Sequence, residues 1–260
     1  MPVKSLTSRP MTRRDALLAM GGGVALVAGC KSDGISGPSI GDARLKARPT
    51  APTITPPVGA ASIPITLGID GLVYFPSTYK PTTPAPVALL LHGAGHDATE
   101  LMTPVSGYAE SRGLVLAAIT SVGGTWDAIH GSFGQDVRNI DVALNWLFAR
   151  CNVDTARLGV MGFSDGATYA IALTRSNGDL FKRVNVYSPG FLISVDPVGK
   201  PEYFITHGTQ DQILSFDNTK NVIVPTLRSA GYSVDFRQFD GGHGVTPALL
   251  ETSVDWFVRP

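Results

Sequence analysis

Cysteine is almost missing from this chain: 260 residues contain two, Cys30 and Cys151. If Cys30 carries a lipid, Cys151 stands alone and no internal disulfide forms, even in an oxidising compartment. Charge is sparse too. Only 16% of residues are charged and the formal net charge is +0, which supplies no basic face for a nucleic-acid partner. The apolar run from Ala16 to Gly29 falls short of the roughly 20 residues that span a bilayer. No internal repeat is present. His92 and His96 lie four apart, but Gly93 and Gly95 break the helix that would bring both rings to one ion, so neither a metal nor any other cofactor is expected.

Glycine and proline are plentiful, 29 and 19, and their placement divides the chain. Residues 1–29 read as an export signal peptide. Arg13-Arg14 precedes the glycine-broken apolar run, and Val27-Ala28-Gly29-Cys30 has the pattern of a bacterial lipobox, with Cys30 the lipidated residue. The twin arginine suggests export in the folded state. Losing Lys4, Arg9, Arg13 and Arg14 against Asp15 leaves 17 basic and 20 acidic residues, a net charge of −3. Residues 30–62, rich in proline, glycine, serine and threonine, are expected to be a disordered tether holding the domain off a membrane. The implied location is the bacterial cell envelope, facing periplasm or exterior.

Residues 63–260 have the length of one α/β domain. Apolar runs bounded by glycine or proline predict strands at 71–75, 87–91, 114–120, 158–161, 184–187, 203–206 and 234–239. Helical patterns fall between them at 100–111, 137–149, 167–174, 219–230 and 247–258. The central runs are almost continuously apolar, as strands covered on both faces must be. The expected fold is therefore α/β, a mostly parallel central sheet with helices on both faces. Cys151, in a helical pattern after Trp146-Leu147-Phe148, is expected to be buried packing.

Functional groups of such sheets gather at the carboxyl ends of strands, and four ends carry chemistry. Gly162-Phe163-Ser164-Asp165-Gly166 sits between a strand and a helix. A serine hydroxyl is a weak nucleophile unless a base reaches it and fixed N–H groups receive the oxyanion, and a tight turn between glycines presents it for both. Leu91 leads into His92-Gly93-Ala94-Gly95, a turn able to aim the Ala94 amide at an oxyanion; the Asp165 amide is the second expected donor. His207-Gly208-Thr209-Gln210-Asp211 and Asp240-Gly241-Gly242-His243-Gly244 follow two later strands, giving the order Ser164, Asp211, His243. Asp240 is too near His243 in sequence to reach its ring from a strand end. His92 is expected to be structural and His207 to orient the turn before Asp211. Trp126 and His130 lie in a loop that either lines the cleft or rests on the surface.

From about Ile63 to Pro260 the chain resembles the α/β-hydrolase superfamily, in particular its lidless phospholipase/carboxylesterases and polyhydroxybutyrate depolymerase-like esterases. The likeness rests on His92-Gly93-Ala94-Gly95, on Val153-Asp154 through Arg157 running into Gly162-Phe163-Ser164-Asp165-Gly166, and on His207-Gly208 before Asp211. It departs at Gly166-Ala167, where the family often has Gly-Gly, and at Asp165, where uncharged residues are commoner. Asp165 either favours cationic or polar substrates or serves the helix N-terminus, where the macrodipole stabilises an acid. The resemblance implies a serine esterase acting through an acyl-enzyme, with Asp211 orienting His243 and His243 serving as base to Ser164.

About fifteen residues separate the strand at 184–187 from the next, too few for a cap domain, so an open cleft and a small-molecule or polymeric ester are expected of what is expected to be a monomer. Thioester or peptide cleavage would use the same residues. The rival class is a tethered binding lipoprotein that kept the fold and lost turnover.

Overall fold

A computed structural model describes residues 42–65 and 70–260. The export signal, the lipobox and Cys30 lie outside the described residues. One eight-stranded sheet runs in the order β1-β2-β4-β3-β5-β6-β7-β8. β3 (Ala85–Leu91), β4 (Val115–Ile119), β5 (Val153–Phe163), β6 (Arg183–Tyr187), β7 (Glu202–Gly208) and β8 (Val234–Phe239) are mutually parallel. β1 (Gly59–Pro64) and β2 (Asp70–Phe75) add antiparallel pairings at one edge. The expected α/β architecture is present, with no large cap inserted between β6 and β7.

Alternation along the strands builds two cores. Val87, Leu89 and Leu91 of β3 and Val115, Ala117 and Ile119 of β4 face one layer, while Ala88, Leu90, Leu116 and Ala118 face the other. That is the period of two expected of pleated strands covered on both sides. The first layer holds α2 (Gln135–Phe148), α3 (Asp165–Ser176) and α5 (Val224–Ser229); the second holds α1 (Thr99–Arg112) and α6 (Pro247–Val258). Cys151 is fully buried in the first layer, which pushes its thiol up to about 12.

The tether reading fails over its second half. Residues 42–48 form a strap on the domain, and 59–64 form β1, so the folded unit begins before residue 63. Ala43, Leu45 and Ala47 are buried, and the side chain of Asn177 clamps the strap: it donates to Ala43 O at 2.8 Å and accepts from Leu45 N at 2.9 Å. The Asp141 carboxylate accepts from the amides of Lys46 and Ala47. Arg44 forks onto both Asp179 oxygens at 2.8 and 2.9 Å, and this hydrogen bonding holds that carboxyl down at about 2. Composition concealed the strap because its apolar residues are few and its partners lie 94 to 135 positions away. Asn177→Ala strands buried backbone groups and should cost about 1–3 kcal/mol in a urea unfolding series. A change below 0.5 kcal/mol would mean the strap is held otherwise.

Between β7 and β8 the single helix expected at 219–230 is instead α4 (Phe216–Asn218), a π-helical turn (Thr219–Ile223) and then α5. The wide turn brings Thr219 inward against His207.

Candidate active site

The sheet reverses its winding at β3, which has β4 on one side and β5 on the other. A crevice opens at such a switch point, outside the carboxyl ends of the strands. Leu91 of β3 pairs with Gly162 of β5, so the turn after β3 stands level with the turn after β5. A Cβ on Gly93 would lie 3.3 Å from Ser164 Cβ, which measures how closely the two turns pass.

Ser164 occupies φ 56°, ψ −120°, the first central position of a type II′ turn, which glycine normally takes. The neighbouring glycines explain how serine is held there. A Cβ at Gly162 would meet Gly166 O at 2.4 Å, and one at Gly166 would meet Leu91 O at 2.2 Å. Strand, elbow and helix can close only around bare Cα atoms at these two positions. The result lifts the serine side chain over the rim at the start of α3.

His243, from the loop between β8 and α6, lies with Nε2 2.9 Å from Ser164 Oγ and Nδ1 2.7 Å from Asp211 Oδ2. The structure thus brings Ser164, His243 and Asp211 together in one hydrogen-bonded row. The loops carrying the acid and the imidazole touch: a Cβ on Gly208 would run into Gly241 O and Gly242 O at 2.3 Å. Phe163 packs its ring against the imidazole, centroids 4.8 Å apart. Asp240 turns away and accepts from Gln210 instead.

Asp211 is the most constrained member. Its side chain is fully buried, Oδ1 accepts from the amides of Ile213 and Leu214, and Oδ2 faces His243 Nδ1 at 2.7 Å and His207 Nε2 at 3.0 Å. Burial alone would raise its carboxyl, but the hydrogen bonds from His243, Leu214 and Ile213 outweigh that and hold it below the usual carboxylate range. Burial lowers His207, keeping it neutral. With its proton on Nε2, that ring donates toward Leu214 O and Asp211 while Nδ1 lies 2.8 Å from the Thr219 hydroxyl. His207 therefore touches the acid itself, a closer part than orienting the preceding turn. The spacing of four in His207-Gly208-Thr209-Gln210-Asp211 was the only signal for it.

The amides of Ala94 and Asp165 donate to no acceptor among the described residues. Their neighbours are committed: Gly93 N donates to Glu100 Oε2 and Gly95 N to Gly124 O. Two further bonds fix this turn from the 121–126 loop, and a third ties the same loop to the elbow. His92 Nε2 accepts from Ser121 N at 2.9 Å, His92 O accepts from the Trp126 indole at 2.8 Å, and Thr125 Oγ1 donates to Asp165 Oδ2 at 2.7 Å. Trp126 is fully buried, so it supports the turn from beneath rather than lining a cleft. His92 is buried and structural, kept neutral by burial. His130 stands beside Trp126 in sequence but has no place in this row.

The loop itself is tied by reciprocal bonds: Asp136 accepts from Asp127 N, and Asp127 from Asp136 N. Asp136 is fully buried, and this burial raises its carboxyl despite those bonds. Sequence reading missed Thr125, whose partner Asp165 lies 40 positions on, and the Asp127–Asp136 exchange, which no motif marks.

Residues 122–249 match the Dienelactone hydrolase family. Among solved structures, S-formylglutathione hydrolase of Staphylococcus aureus superposes with a TM-score of 0.60 at 18% identity, covering 80% of this chain and 100% of that one. The Bacillus cereus carboxylesterase gives 0.58 at 19%, covering 74% and 94%. A propionate-bound esterase of Thermogutta terrifontis gives 0.60 at 18%, covering 77% and 93%. The chain has the α/β-hydrolase fold of these structures. No curated protein sequence matches it. The family match over 122–249 and the shared fold support a hydrolase enzyme, and the elbow, turn and strand ends of that fold are those described above.

Proposed function

We propose that this α/β-hydrolase is a serine esterase in which Ser164 is the nucleophile, His243 the base and Asp211 the group that orients it. The observation that carries this reading is the unbroken row Ser164 Oγ, His243 Nε2, His243 Nδ1, Asp211 Oδ2, with spacings of 2.9 and 2.7 Å at its two hydrogen bonds. Esterase and carboxylesterase relatives of the same fold support an ester of carboxylic acid and small alcohol as substrate.

Neutral His243 accepts the serine proton as Ser164 Oγ bonds to the carbonyl carbon, and the carbonyl electrons move to oxygen. The amides of Ala94 and Asp165 receive that oxyanion. Collapse breaks the bond to the alkoxy oxygen, which takes the proton from His243 and leaves as an alcohol. Water then adds to the acyl-Ser164 ester, again losing its proton to His243, and the acid departs with Ser164 restored. Asp211 holds the proton on Nδ1, so Nε2 is free to accept. Hydrolysis of p-nitrophenyl acetate and butyrate, abolished by a serine-directed phosphonate, is the first check; a folded protein inert to both would favour the non-catalytic binding reading.

The pH dependence has a defined sign. Asp211, depressed, stays ionised wherever imidazoles titrate, so the acid limb of kcat/KM belongs to a histidine base. Activity should fall on acidification as that base gains a proton. Stability moves the same way. Buried His92 and His207 have lowered values, so their contribution is present above the unfolded value and declines as pH falls below it. Returning samples to neutral pH separates the two: loss by protonation of the base recovers at once. A flat profile from about pH 5 to 8 would contradict a histidine base.

We also propose that the enzyme is exported and anchored through a lipid on Cys30. The strap reaches the domain beside Ser176 and Asn177, at the end of α3 opposite Ser164. Cys30→Ala should move the protein to soluble fractions; unchanged membrane association would count against the anchor.

A further inference from the structure

A cavity on the side of the second helical layer is lined by chain neighbours of Ser164 and His243. It lies between α1 and α6, about 420 Å³ in volume, with Phe163 and Gly244 at its inner end. Those two residues flank Ser164 and His243 in sequence, and the Phe163 ring lies against the imidazole. Leu101 and Leu250, both buried, form its walls with half-exposed Val245. Tyr108 stands at the outer end, its hydroxyl 3.5 Å from Pro247 O. The volume is at the small end of small-molecule sites, which begin near about 300 Å³.

Resting on the esterase reading, we propose that this cleft receives the alcohol half of the ester and selects compact, apolar alcohols that carry no negative charge. The leaving oxygen must meet the proton carried by His243 Nε2, so the group attached to that oxygen lies on the imidazole side of the tetrahedral centre. The cavity on that side is lined by the neighbours of His243 and Ser164. Its walls offer hydrocarbon, which favours alkyl and aryl groups by burial. The charge it does present is the Glu100 carboxylate, which is tied to Gly93 N at 2.6 Å. An anionic alcohol would be repelled by it, and no lysine or arginine lines the cleft to offset that. Tyr108 limits how far the alcohol extends.

The test uses two ester series on the full processed protein: acetates of methyl, benzyl and hexyl alcohol, and methyl esters of acetate, butyrate and hexanoate. V245W narrows the cleft, and its benzyl-to-methyl ratio of kcat/KM should fall about tenfold or more. Its hexanoate-to-acetate ratio should keep the wild-type value, because the acyl group lies elsewhere. Y108A opens the outer end and should raise the hexyl-to-benzyl ratio, a gain that a misfolded variant could not give. The proposal is overturned if V245W and Y108A shift the acyl series instead, or neither series. Wild-type protein that turns over no ester and carries no phosphonate on Ser164 would sink the esterase reading along with this one; labelled Ser164 with unmoved alcohol ratios sinks this one alone.

Discussion

Ser164→Ala should lower ester turnover by roughly 10⁵–10⁶-fold, the scale seen when a triad nucleophile is removed, while leaving the unfolding midpoint nearly unchanged. The expectation follows from where Oγ sits. Its neighbour is His243 Nε2 at 2.9 Å, and the other arms of the elbow are backbone. Ser164→Gly separates chemistry from strain. Serine at φ 56° is conformationally costly, by an amount on the order of 1–3 kcal/mol, and glycine relieves it. That variant should therefore be as inactive as the alanine one yet about 1 kcal/mol more stable by urea unfolding. Residual turnover above a hundredth of wild type in either would require another nucleophile.

Asp211→Asn is the second large effect, roughly 10⁴-fold in kcat, and its cause is a proton in the wrong place. An asparagine seated there must keep its oxygen toward the amides of Ile213 and Leu214, which now donate to Oδ1. Its NH₂ then faces His243 Nδ1 and His207 Nε2. Both rings must accept at those atoms, so each shifts its proton to the other nitrogen. His243 then points an N–H at Ser164 and has no lone pair to take the serine proton. The measurement is kcat beside an unfolding curve. A fall below tenfold with an intact fold would assign the orienting role to another acid.

Seven strands were legible because they are apolar, bounded by glycine or proline and spaced by helical patterns, so period and punctuation agreed. β1 and the strap were not: Ala60, Ser62 and the prolines around them carry little apolar signal, and their stability comes from pairing with β2 and from Asn177. The helix expected at 219–230 read as one because a π-turn leaves the apolar spacing almost intact. Ser164, Asp211 and His243 were found from turn chemistry at strand ends, where position alone narrows the choice. The supports of the site were hidden for the opposite reason. Asp136, Thr125 and the second histidine against Asp211 are ordinary polar residues whose role exists only in three dimensions, and the cleft between α1 and α6 joins segments nearly 140 positions apart.

The central claim is that His243 makes the Ser164 hydroxyl nucleophilic, and covalent capture tests it without assuming any substrate. Wild-type protein treated with a fluorophosphonate at neutral pH should gain one adduct by intact mass, and peptide mapping should place it on Ser164. His243→Ala, folded by circular dichroism, should label orders of magnitude more slowly. An adduct on another residue, or equal labelling rates with and without the imidazole, would contradict the account.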